Sequence, residues 1–286
     1  MKRLLYYLCV CFLLFPAFCL GDEKGSPETL IVHFLDVGQG DAAILQCGGQ
    51  TLMIDGGPRE ANQFVYSYLT ETLHLDYLDY VISTHPHDDH TQGLATALVV
   101  CDAGIIYSPV TEYEGNGFGD LKKKVEEHGK SFTVPHRGDS FALGSATVTF
   151  LSETDGHEEW NTNDHSLVVR VTFGDTAFIF TGDAEGNEEQ DILESGMELH
   201  ASILKIGHHG SLSSTSQNFL DAVSPEYAII SVGENNDYGH PAEETLLKLN
   251  HARISVFRTD IHGTIVCTSD GTNIAFKMTK KKNKKW

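Results

Sequence analysis

Several things this chain lacks narrow its identity before any motif is read. It has only six cysteines, and Cys9, Cys11 and Cys19 fall within the first twenty residues. The rest, Cys47, Cys101 and Cys267, are odd in number and far apart, which excludes a disulfide framework and a CxxC thiolate metal site; buried thiols are the default reading. No second apolar run of membrane-spanning length follows the N-terminus, so a multi-span membrane protein is excluded. No short-period repeat and no Pro/Ser-rich linker divides the chain. Basic residues are scarce, 20 against 40 acidic ones. Two lie in the leader and six in the last ten residues, so the body from 21 to 276 holds 12 basic residues against all 40 acidic ones, a formal charge of −28. Such a body repels a nucleic-acid backbone at long range unless cations or a local basic patch compensate.

The two ends are distinct. Lys2 and Arg3 precede an unbroken apolar run over 4–14, and Pro16, Ala17 and Cys19 close it before the polar GDEKGSPE. Residues 1–20 therefore read as a secretory signal, which places the mature chain outside the cytoplasm, with an uncleaved anchor as the lesser alternative. Residues 277–286 carry six lysines and read as a solvated basic tail. The stretch between, 21–276, reads as one catalytic domain with no integral membrane part and no obligate protein partner.

Within that domain short β-rich runs alternate with helical stretches. TLIVHFLDVG reads as a strand, and DAAILQCGGQTLMIDGG as a hairpin turned at Gly48-Gly49. A helix over 61–74 precedes the buried strand LDYVISTH. A second series follows, with strands at ATVTFLSE, SLVVRVTFG, TAFIFTGD, ILKIG, YAIISVG, ISVFRTD, GTIVCTSD and NIAFKM, and helices over 185–195, 216–223 and 243–251. Strand pairs followed by βα alternation, twice over, imply an α/β fold: a four-layer αββα sandwich of two facing sheets with helices outside.

Histidine carries the chemistry. Fifteen are present, and the densest group, STHPHDDH, follows an apolar strand directly. His85, His87, Asp89 and His90 form a metal-ligand array, since neutral imidazole and ionised carboxylate suit Zn²⁺ and similar dications. Asp183, at the tip of TAFIFTGD, is placed to bridge two dications, as in two-metal hydrolytic sites. His165 in NTNDHSLVVR, His208 and His209 in LKIGHHGS, and His240 in NNDYGHP compete for the remaining positions, all at strand–loop junctions. Asp55 in LMIDGG is suited to take the free N–H of a metal-bound imidazole. Asp36 and Asp41 of DVGQGDA, with Gln39, form a polar turn that would support the same shell.

In these segments the chain resembles the metallo-β-lactamase superfamily, and within it the extracellular domain of the competence protein ComEC. DVGQGDA, LMIDGG, STHPHDDH, NDHSLVVR, FIFTGDAE, LKIGHHGS, NDYGHP and RTDIHGTI appear in the family's order over about residues 30–270. The resemblance implies the αββα sandwich, a dinuclear centre and hydrolase activity. It assigns His85, His87 and His165 to a first ion and Asp89, His90 and His208 to a second, with Asp183 bridging and Asp55 in support. The branch often carries Asn where this chain has His165, and the final ligand stays open between His208 and His240.

The expected reaction is hydrolysis assisted by two Zn²⁺ or Mn²⁺ ions that lower the pKa of water and neutralise developing charge. Asp89 would align the water, while Lys205, His209 or His240 would bind the substrate anion or protonate the leaving group. The first expectation is a phosphodiester, in a small molecule or a nucleic acid. A lactam, lactone or thioester is the alternative that the acidic body favours, and a non-catalytic, metal-stabilised binding module is the third.

Overall fold

The computed structural model describes residues 28–280 except 154 and 158; the expected leader and the lysines beyond Lys280 lie outside them. Two mixed sheets face one another. The first begins with β1 (Leu30–Phe34), β2 (Ala42–Cys47), β3 (Gln50–Gly56), β4 (Tyr77–Ile82), β5 (Asp102–Tyr107) and β6 (Phe132–Thr133). The second comprises β7 (Ser140–Leu143), β8 (Ala146–Phe150), β9 (Val169–Phe173), β10 (Thr176–Phe180), β11 (Ile203–Lys205), β12 (Tyr227–Ile230) and β13 (Ser255–Arg258). The chain then returns to the first sheet as β14 (Ile265–Ser269) and β15 (Ile274–Met278), giving the order β15-β14-β1-β2-β3-β4-β5-β6. By chain order these last two strands continue the second series. They belong to the first because β14 pairs antiparallel with β1, Val32 opposite Cys267. Lys277 and Met278, assigned to the tail, lie in β15.

Each sheet is antiparallel in one half and parallel in the other, β3 to β6 in the first and β10 to β13 in the second. Parallel neighbours need crossovers, and helices supply them. These are α1 (Asn62–Ser67), α2 (Asp88–Val100) and α3 (Asn116–Glu127) on the first sheet, then α4 (Gly186–Glu194), α5 (Gln217–Val223) and α6 (Glu243–His251) on the second; a short α7 (Thr259–His262) precedes β14. No helix among the described residues is long and apolar enough to cross a membrane.

Three apolar layers result. Leu45, Ile54, Phe150, Val171, Phe178 and Ile229 pack between the sheets. Ile44, Met53, Val81 and Leu94 pack beneath α1–α3, and Ile179, Leu204, Phe219 and Leu249 beneath α4–α6. Because both faces of each sheet are covered, neighbours such as Ile44 and Leu45 serve opposite layers, and the strands read as continuous apolar runs. The family resemblance thus extends to the whole architecture: a four-layer αββα sandwich. Its parallel strands end on one rim, the edge where open α/β sheets place their ligands.

Candidate metal centre

From the first sheet, β3 ends in Asp55, and β4 runs out through Thr84 to His85. His87 precedes α2, whose first turn carries Asp88 and Asp89. Acidic residues there are favoured by the unsatisfied N–H groups and dipole of the helix start. STHPHDDH is therefore loop only as far as His87; Asp89 and His90 are helical. Asp55 Oδ1 accepts from the Thr84 backbone N–H at 2.8 Å and its Oδ2 from the Thr84 hydroxyl at 2.7 Å. Nδ1 of His90 donates to the same Oδ2 at 2.8 Å. That donation points Nε2 of His90 at the rim, where it would offer its lone pair to a bound cation.

From the second sheet, β10 runs through Gly182 to Asp183. Gly182 has φ +52, and a Cβ there would lie 2.7 Å from Thr84; only glycine lets the two strand ends approach this closely. Beyond β11, His208 and His209 both take left-handed backbone conformations (φ 45 and 54). That geometry turns both adjacent imidazoles toward Asp183.

The Asp183 carboxylate, 2% exposed, is surrounded by four imidazole Nε2 atoms. His90 lies 3.4 Å from Oδ1, while His209, His208 and His85 lie 3.6, 3.7 and 3.8 Å from Oδ2. Asp89 Oδ2 is 3.3 Å from His209 Nε2 and 3.8 Å from His90 Nε2; His85 Nε2 is 3.0 Å from His87 Nδ1. Asp89, His90, Asp183 and His209 each offer a ligand atom within 4.8 Å of the others. Tetrahedral ligands at 2.0–2.2 Å from a dication sit about 3.3–3.6 Å apart, so the donor atoms suit shared cations. Two orphans support that fit: His90 Nε2 and Asp183 Oδ1 are buried with no hydrogen-bond partner, although buried polar atoms are normally satisfied.

Electrostatics agree. Burial works against charge on His209, but Asp183, Asp41 and Asp89 outweigh it and hold the imidazole up to about 10. His90 is likewise raised, burial being overcome by Asp183, Asp55 and Asp89. Asp183 and Asp89 are lowered despite burial by the surrounding imidazoles. His85 is lowered, first by burial and then by His90. The carboxylates of the rim thus favour positive charge among them, carried by protons on His90 and His209 when no metal is bound.

Several sequence assignments change. Lys205, proposed to bind the substrate, is buried: its Nζ lies 2.7 Å from Asp41 Oδ2 and donates to the Ile206 carbonyl at 2.8 Å. Asp41 Oδ1 in turn lies 3.2 Å from His209 Nδ1, which also donates to the Ser231 carbonyl at 3.0 Å. Lys205 and Asp41 hold His209 from behind, and His209 itself faces the cluster. Asp36 turns away and pairs with Lys280. His165 leans on Trp160, ring centroids 5.9 Å apart; from the same NTND turn it is Asn163 that lines the cavity before the cluster, its Nδ2 3.5 Å from His208 Nδ1. His240 also lines that cavity of about 320 Å³, 5.4 Å from the His208 ring. Sequence reasoning missed Glu185, which takes His208 Nδ1 at 2.8 Å and lies two residues beyond Asp183. It also missed Tyr238, inside the NDYGHP segment but passed over for its histidine. The thiols are no ligands: burial pushes Cys101 and Cys267 up to about 11 and about 12.

Comparison with known proteins agrees with the family and the fold. The sequence profile of the metallo-beta-lactamase superfamily matches residues 35–234. ComE operon protein 3 of Bacillus subtilis (strain 168) is 31% identical over 282 residues, covering 90% of this chain and 34% of that protein. Competence protein ComA of Neisseria gonorrhoeae is 29% identical over 255 residues, covering 88% and 34%. The chain spans about a third of the length of these relatives. Among solved structures, the metallo-beta-lactamase fold protein YhfI from Bacillus subtilis aligns with a TM-score of 0.55 at 13% identity, over 84% of this chain and 100% of that one. CmlA, a diiron beta-hydroxylase from Streptomyces venezuelae, aligns with a TM-score of 0.55 at 15% identity, over 84% and 54%. At such identities the likeness speaks for the fold alone.

Proposed function

Since the chain belongs to the metallo-beta-lactamase superfamily of metal-dependent hydrolases, we propose that it is an exported phosphodiesterase working with two divalent cations. The observation that carries this reading is the Asp183 carboxylate enclosed by four imidazole nitrogens at 3.4–3.8 Å. His85, His87 and His208 would hold one cation and Asp89, His90 and His209 the other, with Asp183 between them. A donor set of imidazole and carboxylate without thiolate suits Zn²⁺ or Mn²⁺. When bound, such ions make water nucleophilic near neutral pH and neutralise charge on the scissile group.

The protein's own groups do the rest. Asp55 and the Ser231 carbonyl fix the ring orientation of His90 and His209, as hydrogen-bond acceptors behind a metal-bound imidazole do. His240 is held neutral, chiefly by burial and then by the nearby His208 and His209, and its buried Nδ1 has no partner. At the cavity wall it is available to the substrate as a neutral imidazole hydrogen-bonding group. Hydrolysis forms a P–O bond to water, breaks the ester P–O bond, and leaves the alcohol with a proton. Asn163, beside His208 at the cavity wall, is available to orient a phosphoryl oxygen. Export rests on residues 1–20, read from sequence.

The competing substrate class is a non-phosphate ester, lactone or thioester, which the absence of Lys and Arg from the described cavity lining favours. Purified full-length protein should contain close to two equivalents of metal and hydrolyse bis-p-nitrophenyl phosphate. Combining Asp183→Asn with His87→Ala should remove most of the metal and at least about 10³-fold of the rate, with the circular dichroism spectrum retained. Preserved turnover in that variant overturns the metal assignment, and turnover of lactones but of no phosphodiester moves the substrate class.

A further inference from the structure

Tyr238 is the most exposed large side chain of apolar character among the described residues, at 73%, yet it is not loosely held. Asn236 Oδ1 accepts from the backbone N–H groups of Tyr238 and His240 at 3.1 and 3.0 Å, and its Nδ2 donates to the carbonyls of Gly233 and His240 at 3.0 and 2.7 Å. This one side chain staples the loop and presents the tyrosine ring at the cavity wall, nearly parallel to the His240 imidazole (24°, centroids 5.8 Å apart). A bare aromatic face on a stapled loop beside a hydrolytic centre suits a flat ring in the ligand.

Charge limits what else that ligand carries. Among the described residues no lysine or arginine lines the cavity, while Asp88, Asp89 and Asp183 do. Lys205 is committed to Asp41. A polynucleotide grips its protein through phosphates neutralised by basic side chains, and the phosphates flanking a scissile bond would find none here, against a body of formal charge −28.

We infer that Tyr238 is the platform for a flat ring attached to the scissile group, and that the substrate is an isolated phosphodiester bearing such a ring, nucleobase or aryl, rather than a polynucleotide. This rests on the phosphodiesterase reading above. Tyr238 determines specificity; the metal ligands carry the reaction.

The test uses the full-length, metal-loaded protein. With bis-p-nitrophenyl phosphate, Tyr238→Ala should raise KM roughly five- to tenfold, the lower range of base–aromatic stacking, with bound metal retained. Tyr238→Phe, which keeps the ring, should stay within about twofold of wild type. Thymidylyl thymidine should be cleaved with a higher kcat/KM per linkage than a thymidylate oligomer of about a dozen residues, and its rate should change little between roughly 50 and 200 mM salt. An unchanged KM in Tyr238→Ala, or a parallel loss of kcat and metal marking a structural role, overturns the inference and leaves the phosphodiesterase reading standing. So does preference for the oligomer with a steep salt dependence. Failure to cleave any phosphodiester overturns both.

Discussion

At the residue scale, the informative side chains are those whose surroundings contradict their chemistry. Glu188, in the first turn of α4, is fully buried and neither carboxylate oxygen has a hydrogen-bond partner. Burial pushes the acid from 4.5 up to about 9; Arg137 pulls it back, while Asp164 and Glu153 push the same way as burial. The folded protein therefore holds a proton at Glu188 that the unfolded chain has released above its ordinary value of 4.5. Stability from this group is full at low pH and is lost as pH rises from about 4.5 to about 9, with a slope approaching 1.4 kcal/mol per pH unit. Glu188→Gln should remove that slope, so the stability difference between variant and wild type should grow in the variant's favour from pH 5 to pH 9 in urea melts. A difference that does not change with pH would show the carboxyl to be ionised or solvated. The same contrast explains what sequence concealed at the centre. Spacing cannot reveal that two successive left-handed residues turn both His208 and His209 to one carboxylate, nor that Asn163 rather than His165 faces the cavity.

At the element scale, the centre depends on how closely α2 lies on β3. A Cβ on Gly93 would sit 1.8 Å from the Gly56 carbonyl oxygen, and the Gly93 N–H donates to the Gly57 carbonyl at 3.0 Å. One turn earlier, His90 reaches Asp55 on β3, so spacing between helix and strand fixes the position of that imidazole. Gly93→Ala should force the helix outward, cost about 1–3 kcal/mol or more as overpacking does, and lower metal occupancy. In Gly119→Ala on α3 nothing lies within 4 Å of the new Cβ, so it should be neutral or slightly stabilising through the unfolded state. Denaturant midpoints and metal content on the two variants check both; equal behaviour would dissociate α2 packing from the centre. Strands β5, β6 and β7 and helix α3 go unread, whereas the other strands and the helices α4 to α6 are legible from sequence because apolar runs and turn residues bound them. Helix α2 is not, because it is buried nearly all round, with Thr91, Gln92 and Gly93 inside, and so shows no polar face. β14 and β15 follow the second series in the chain, and only their ladder with β1 reveals the return to the first sheet.

At the scale of the whole molecule, the rim is a seam. Asp55, Asp89 and His90 come from the first sheet's strand ends and α2; Asp183, His208 and His209 come from the second sheet. Asp41, Asp55, Asp89 and Asp183 gather there, with Lys205 paired to Asp41, inside a body that already repels itself. Cations held at this seam, as proposed above, would tie the sheets together and offset that repulsion, so folding and metal binding should be linked. Binding that favours the folded state contributes about 4 kcal/mol when free metal is a thousandfold above Kd. For a domain of this size each kcal/mol moves Tm by roughly 2–4 °C, so exhaustive chelation should lower Tm by about 8–16 °C. Raising monovalent salt screens charge over a shorter range and should recover more of Tm in chelated protein than in loaded protein, because only the former leaves the carboxylates uncompensated. Calorimetry on both forms across a salt series measures this directly. Stripped protein with an unchanged Tm would mean that the two halves hold together without the ions, and that the acidic rim is stabilised by protonation of its own histidines instead.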